Sequence, residues 1–599
     1  MKKILGKNRY WVLAIIWLIV INFIAFIWHL GNTSLVDETE PLFAEAARQM
    51  TITNDWITPY FNGETRFDKP PLIYWLMAVG YQLIGVNEWA VRLPSAISAI
   101  AITILGFYTL RHWGFTNFKQ QNSKKQKQLW LSAIIGSGLM ALNPQTIIWG
   151  RTGVSDMLLS GCMSCGLFCF FWGYVCNEKQ DDSAIFSNQQ LKLPNKWYLA
   201  FYVLLGLAVL AKGPVGIVLP GLIILSFLFY TGQFARVIKE IKLLWGIIIF
   251  SIITIPWYLL VWLENGQSYL DSFFGYHNLQ RFTDVVNGHE APWYFYILII
   301  FILFAPWSVY LPYAIANVRW WQRHYWQRQS RQNHLRIFAF FWFVCIFIFF
   351  SVSVTKLPSY VLPLIPAAAI LVALLWSDLI VYGKSKAKKH NYALVSSILA
   401  NLVLAIALSV AFYLSPNWIG KDPATPKLSR IVAESALPIS GTIVWGLIAV
   451  AIAIYSINFK WWRGIIAVNL VGFMAFISFV LLPTIFFIDT HRQVPLKEIA
   501  RTITQIQKTE EPIFLVGFKK PSLVFYTRQP VSFFKRRSDL REDLAESDRL
   551  DSETVLIVGR EKDIEKILNL EQESYNPIDS KGVYSLIRIP LQSIELDEN

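Results

Sequence analysis

Apolar residues in this chain fall in long unbroken runs. Stretches such as Trp11 to Leu30, Leu243 to Leu263 and Phe338 to Val354 approach or reach the roughly 20 residues that a helix needs to cross about 30 Å of hydrocarbon. Further runs predict spans near 89–110, 129–149, 154–176, 197–211, 213–230, 293–316, 357–377, 391–414, 437–458 and 463–487. With the three named first, this makes about thirteen transmembrane helices. Pro71 to Val86 is shorter and opens on two prolines, so it is expected to lie beside the membrane as a juxtamembrane helix. The pattern changes after residue 487. Residues 488–599 carry short strand-like runs, Ile513 to Phe518 and Val555 to Val558, and a helix-like stretch Leu496 to Gln507. They read as a small C-terminal α/β domain. The fold class is therefore an all-α polytopic membrane protein, residues 1–487, with outer helices within 31–88 and an appended domain at 488–599.

Composition agrees with a membrane protein: 54% of the 599 residues are apolar and 16% are charged. The formal charge of +14 would suggest a nucleic-acid partner only if the basic residues formed a patch. They gather instead in alternate loops: Lys119, Lys124, Lys125 and Lys127; Arg236, Lys239 and Lys242; Arg319, Arg323, Arg328 and Arg331; Lys384, Lys386, Lys388 and Lys389. This is the positive-inside pattern, so the charge reports topology and no nucleic acid is expected. Lys2, Lys3, Lys7 and Arg9 before the first run resemble a signal sequence. That run is too long and lacks a small-residue cleavage site, so it is expected to be a retained anchor with a cytoplasmic N-terminus. An odd number of spans then puts the C-terminal domain outside, on a plasma (inner) membrane. Cys162, Cys165, Cys169, Cys176 and Cys345 lie in or at the edge of apolar runs and read as small packing residues between helices, despite the CMSC spacing.

Polar residues at the outer side are the candidate chemistry. VDETEPLFAEAARQM follows the first span, and NDWITPYFNGETRFDKPPLIYW then brings Asp55, Arg66, Asp68 and Lys69 beside the membrane. Taken alone, Asp37 suits a helix N-cap as well as a functional carboxylate. DETEPLFAEAARQM, DWITPYFNGETRFDKPPLIYWLMAVGYQLIGVNEWAVRLPSA, RTGVSDMLL, LAKGPVGIVLP and TKLPSYVLPLIP together resemble glycosyltransferase family 39. That group contains bacterial aminoarabinose transferases and is related to the protein O-mannosyltransferases. The resemblance runs over most of residues 10–370. It implies a GT-C membrane fold, an outward-facing cavity and a polyprenyl-phosphate sugar as donor, with a lipid, glycan or protein as acceptor.

Breaking a sugar–phosphate bond builds charge on the leaving phosphate, so fixed cations should face it. Lys69, Arg151, Lys212 and Lys356 are the candidates, with Tyr360 as a further hydrogen-bond donor. Snorkelling to lipid headgroups is the competing role for the lysines. An acceptor hydroxyl needs a base. The family pattern supports Asp37, with Glu38 assisting. Asp156 is expected to hold Arg151 or Lys69, or else to cap its helix together with Ser155. The loop 264–292 carries His277 and Arg281 one helical turn apart, and the resemblance implies that a comparable loop closes over the cavity. There His277 is available to join Asp68 as a metal ligand, which leaves a divalent cation as the only cofactor candidate; two ligands do not make a metal site. A transporter or flippase of lipid-linked sugars is the alternative class. It would place its charges near the membrane midplane and often shows repeats, neither of which is evident here.

Overall fold

The computed structural model describes residues 2–599 apart from 117–121, 180–192, 281–282, 285–287, 289, 387–391, 458–460, 547–551, 570–574, 592–593 and 595–599. Of the basic loop residues, Lys119, Lys388 and Lys389 lie outside the described ones. Each of the thirteen expected spans has a helix, but they are not alike. Among the described residues nine helices are long and apolar enough to cross a membrane. Two more spans are pairs bent at a break, Asn122–Ala141 with Pro144–Gly150 (58°) and Phe295–Leu303 with Trp307–Ala316 (114°). The remaining two are 17-residue helices, Lys196–Lys212 and Val215–Thr231, which turn over at Gly213 and Pro214. Pro71 to Val86 forms the short helix Leu72–Ile84, with Pro71 at its N-cap.

Helix Ser155–Cys176 is the axis of the bundle, its apolar window being wholly buried. Its small residues let neighbours close in. A Cβ on Gly161 would sit 2.6 Å from Cβ of Ser98, so glycine sets the distance between this helix and Glu88–Trp113. Cys162, Cys165 and Cys169 are buried along the same helix with free thiols. At the other extreme, only 17% of the apolar window of Tyr392–Trp418 is buried within the protein; that helix is left facing its solvent, the lipid. Loop 264–292 departs from the expectation. The helix that begins at Leu243 runs on to Leu270, past a kink at Gly266 (φ 59°, ψ −140°), and continues as π-helical turns over Asp271–Gln280.

Two ends of the bundle can be told apart. Ser155–Cys176 carries Asp156 in its first turn and, about 27 Å further on at 1.5 Å per residue, Tyr174 in its last, whose carbonyl accepts from Arg331 at 3.0 Å. Arg331 also forms a bidentate pair with buried Glu240 at 2.6 and 2.9 Å. The basic loops around 236–242 and 319–331 are thus joined at one end. The acidic and lysine-bearing motifs occupy the other.

That second end carries two β units. Strands β1 (Tyr60–Phe61) and β2 (Glu64–Thr65) form a hairpin. Its two-residue turn, Asn62 and Gly63, has both φ values positive (56° and 86°), as a turn matched to strand twist requires. The C-terminal unit contains β3 (Ile513–Val516), β4 (Ser532–Phe534), β5 (Thr554–Gly559), β6 (Asp579–Lys581) and β7 (Tyr584–Pro590), in the spatial order β4-β3-β5-β7-β6. Strands β4, β3 and β5 are parallel, and β7 pairs antiparallel with β5 and β6. Alternation along β3 divides its side chains between two faces. Phe514 and Val516 pack with Leu540, Ile564 and Ile567, while Ile513 and Leu515 pack with Leu496, Ile499, Leu523 and Val524. Both faces are covered, which is why the strand reads as a continuous apolar run.

A buried ion pair fixes the second end. Glu40 (1% exposed) receives Nε and Nη2 of Arg92 (3% exposed) at 2.8 and 2.9 Å. The same carboxylate accepts from the Gly153 and Val36 amides at 2.7 and 2.9 Å. Arg92 donates onward to the carbonyls of Leu30, Thr33 and Ser34. Breaking such a pair leaves a buried charge without its partner, at a cost of about 3–5 kcal/mol. Glu40→Leu should therefore lower the thermal unfolding temperature of the detergent-solubilised protein sharply, measured by tryptophan fluorescence. An unchanged midpoint would show that the pair is not needed for stability.

Candidate active site

A cavity of about 1070 Å³ opens at the second end of the bundle. Its walls come from the acidic loop, hairpin β1–β2, the DKPP turn, residues 147–156, Lys212, the π-helical turns, residues 355–360 and, from the C-terminal unit, Lys519 and Pro521. A second cavity of about 450 Å³ adjoins it and is lined mostly by apolar groups, among them Val215, Val218, Phe273, Phe274, Phe349 and Phe350. Asp68, Lys69, Asp156, Lys212, His277, Ser359 and Tyr360 line both. Six of the polar residues singled out from the sequence, Asp68, Lys69, Asp156, Lys212, His277 and Tyr360, therefore stand where the more polar chamber meets the apolar one.

Two ion-pair groups make up this junction. Asp68 receives Lys69 Nζ at 2.6 Å and Arg66 Nη2 at 2.9 Å, and His277 Nδ1 lies 3.1 Å from its Oδ1. The guanidinium of Arg66 also lies 5.3 Å from the Phe43 ring centre. Burial would push the Asp68 carboxyl up, but Lys69, Arg66 and His277 overcome it and hold the group far below the usual carboxylate range. In the second group Lys212 donates to Asp156 at 2.6 Å and its ammonium lies 5.5 Å from the Tyr360 ring centre. Three fixed cations, Arg66, Lys69 and Lys212, face two carboxylates, leaving a net positive charge suited to an anion. Arg151 lines the polar cavity and donates to the carbonyls of Ala25 and Trp28 at 3.2 and 2.9 Å. Burial, with the charge of Arg92, lowers its pKa to about 10, so it stays charged at neutral pH.

Asp37 is not a helix cap. The cap position of helix Thr39–Thr53 is Glu38, which makes no side-chain capping bond. The Asp37 carboxylate instead accepts from the backbone amide of Ser522 at 3.0 Å and from its hydroxyl at 2.5 Å. Burial raises the Asp37 pKa; the Ser522 hydroxyl, the charge of Lys520 and the Ser522 amide pull it down, and Glu38 pushes it up. Glu38 is exposed and lines the cavity. Asp156 does not cap its helix either: Val154 holds the cap position, without a side-chain bond, and Ser155 and Asp156 lie inside the first turn.

Two residues are placed differently from the expectation. Lys356 donates to the Ser353 carbonyl at 2.6 Å and lines neither cavity, although its neighbours Thr355 and Leu357 do. A turn of 3-10 helix over Pro358–Leu364 presents Tyr360 to the cavities in its stead. Asp55 accepts from the amides of Ile57 and Thr58 at 2.9 and 3.0 Å, closing a local turn outside the cavities. Arg281 lies outside the described residues. Asp68 and His277 do meet, but among the described residues no cluster of three or more His, Cys, Asp or Glu side chains could hold a metal ion.

Sequence reasoning did not assign Glu40, Arg92, Lys519 or Ser522. Glu40 and Arg92 stand inside the quoted motifs, and an arginine in an apolar helix requires a buried partner, which was a usable signal. Lys519 and Ser522 gave none.

The comparisons with known proteins agree with this geometry. A family model described as dolichyl-phosphate-mannose-protein mannosyltransferase matches residues 15–265, and one described as cyanobacterial RgtA-type glycosyltransferase, C-terminal domain, matches 506–599. Undecaprenyl phosphate-alpha-4-amino-4-deoxy-L-arabinose arabinosyl transferase 2 of Proteus mirabilis is 25% identical over 420 residues, 69% of each chain. An uncharacterized protein of Aquifex aeolicus is 28% identical over 393 residues, 65% of this chain and 77% of that one. The crystal structure of ArnT from Cupriavidus metallidurans bound to undecaprenyl phosphate superposes with a TM-score of 0.73 at 21% identity, covering 97% of this chain and 98% of the other.

The depressed Asp68 pKa has a consequence for stability. A carboxyl whose folded pKa is lowered adds stability above its unfolded value near 4, and that contribution is lost as pH falls towards the folded value. Thermal unfolding of wild type and Asp68→Asn should therefore differ most at neutral pH, with wild type the more stable, and converge as pH falls below about 4. A pH-independent difference would contradict the charge network.

The chain is thus an enzyme rather than a transporter of lipid-linked sugars: it is a membrane glycosyltransferase with the GT-C fold, similar over residues 15–265 to the dolichyl-phosphate-mannose-protein mannosyltransferase family.

Proposed function

We propose that this enzyme transfers a sugar from a polyprenyl-phosphate donor to a lipid, glycan or protein acceptor on the extracytoplasmic face of the membrane. The observation that carries this reading is the sharing of Asp68, Lys69, Asp156, Lys212, His277, Ser359 and Tyr360 by the polar and the apolar cavity. A polyprenyl-phosphate sugar has the same division: a charged head joined to a long hydrocarbon chain. The phosphate fits against Lys69 and Lys212 with Tyr360 beside them, the first isoprene units fit among Phe273, Phe274, Phe349 and Phe350, and the sugar extends into the polar chamber towards Asp37. The name of the Proteus mirabilis relative, which specifies an undecaprenyl phosphate sugar as donor, supports the assignment.

The reaction needs little beyond this. The acceptor oxygen attacks the anomeric carbon, the bond from that carbon to the phosphate oxygen breaks, and the polyprenyl phosphate leaves. Lys69 and Lys212 stabilise the charge that grows on the leaving oxygen, and Arg151 adds positive potential to the chamber. Asp37 takes the proton of an acceptor hydroxyl. If the acceptor is a phosphate already ionised at neutral pH, no proton has to be removed, and Asp37 orients charge instead.

Asp37→Asn keeps the shape but cannot take the proton. It should retain undecaprenyl phosphate binding while turnover falls by about a hundredfold or more, and Lys69→Ala and Lys212→Ala should each lose about tenfold to a thousandfold. Turnover is read as sugar release from a radiolabelled undecaprenyl-phosphate aminoarabinose pool in membranes carrying each variant. A normal rate for Asp37→Asn would remove the base assignment, and normal rates for both lysine variants would remove the phosphate assignment.

The membrane orientation follows from the basic loops around 236–242 and 319–331, which lie at the end of the bundle away from the cavity. By the positive-inside rule that end is cytoplasmic, and the cavity, hairpin β1–β2 and C-terminal unit face outward. In a background lacking the exposed Cys176, a cysteine at position 64 should react with an impermeant maleimide on intact cells and one at 325 should not. The reverse labelling would invert the topology.

A further inference from the structure

The C-terminal unit reaches the cavity through the segment that follows β3. Lys519 and Pro521 line the polar chamber, and Ser522, 3% exposed, puts both its amide and its hydroxyl on Asp37, 485 residues away in the chain. The docking that holds this segment is extensive. Asn62, at the tip of hairpin β1–β2, exchanges hydrogen bonds with the Val531 backbone at 2.9 and 2.8 Å. Lys497 pairs with Glu88, and the Tyr526 hydroxyl donates to Glu88 at 3.0 Å while accepting from the Leu35 amide at 2.9 Å. Arg48 reaches the Arg528 carbonyl at 3.4 Å. These contacts grip the acidic loop on both sides of Asp37.

We propose that the C-terminal unit is part of the active site, with Ser522 as the positioning residue that fixes the Asp37 carboxylate. This rests on Asp37 acting as the base. Each carboxylate oxygen accepts one bond from Ser522, so the group cannot rotate freely, and both bonds favour its ionised form. The charged and titratable neighbours of Asp37 are Glu38 on its own loop, Lys520 beside Ser522, and Tyr584 on β7, whose phenol feels the Asp37 charge. Lys520 acts in the same direction as Ser522. Glu38 opposes both. A catalytic carboxylate in the loop after the first span thus depends for its ionisation and direction on the C-terminal α/β unit.

The test is Ser522→Ala in the full-length membrane protein, compared with wild type, Lys520→Gln and Asp37→Asn, using undecaprenyl-phosphate aminoarabinose as donor. The alanine variant loses one of two charge-assisted bonds and little volume, so it should fold and bind undecaprenyl phosphate as wild type does. Its kcat should fall by about tenfold with donor KM little changed. The acid limb of its pH–rate profile should move to higher pH, since Asp37 then ionises less readily, and Lys520→Gln should move it the same way. A lower rate with an unmoved acid limb would reduce Ser522 to a packing residue and overturn the proposal. So would a wild-type rate and profile for Ser522→Ala while Asp37→Asn is inactive. An active Asp37→Asn would instead remove the base reading on which the proposal stands, so the two failures are told apart.

Discussion

Glu40 and Arg92 are buried together at the end of the bundle where the cavity opens, and neither charge could be there without the other. Their net contribution to stability is small, because two ions give up water to meet. Their effect on geometry is large. Arg92 gathers the carbonyls that end the first span, and Glu40 gathers the amides of Val36 and Gly153. Loop 31–38, helix Glu88–Trp113 and the turn before Ser155–Cys176 are thereby held to one point. Asp37 precedes Glu40 by one turn, and Asp156 follows Gly153 by another. The two carboxylates of the candidate chemistry inherit their places from a pair that takes no part in it.

The site joins two solvents. On the polar side, Asp68 and Asp156 each hold a lysine at 2.6 Å, so the cations are aimed before any ligand arrives and need little reorganisation when charge moves. On the apolar side, aromatic rings from the π-helical turns and from helix Leu335–Val352 form a wall that a hydrocarbon chain can cover. An anion at the junction gains from fixed positive charge, while its chain stays out of water. A ligand that lacks either half loses one of these terms.

The C-terminal unit completes the chamber rather than hanging beside it. Its sheet has apolar residues of β3 and β5 covered on both faces, one of them by a cluster that also takes in Phe61 of hairpin β1–β2 and Leu42. What it sends to the cavity is a loop and one serine, held in register by Asn62 at one edge and by Glu88 at the other. Rigid docking of this kind lets a soluble fold set the environment of a group that lies at the membrane surface.

Hydrophobicity was legible along the chain because the bilayer imposes a length on every span and topology imposes a sign on every loop. The sequence by itself therefore determined the helices, a short helix within 71–86, strand-like runs at 513–518 and 555–558, and the side on which Asp37, Asp68, Lys69, Asp156 and Lys212 gather. It did not decide pairings. Asp68 with Lys69 could be guessed from adjacency, but Lys212 with Asp156 depends on two helix ends meeting 56 residues apart. Lys356 and Tyr360 sit in one short motif, yet a turn of 3-10 helix turns one towards Ser353 and the other into the cavity. Local sequence does not fix that rotation. Ser522 with Asp37 was beyond reach for a plainer reason: a serine has no signature until something docks on it, and only the packing of the C-terminal unit on the acidic loop brought the two together.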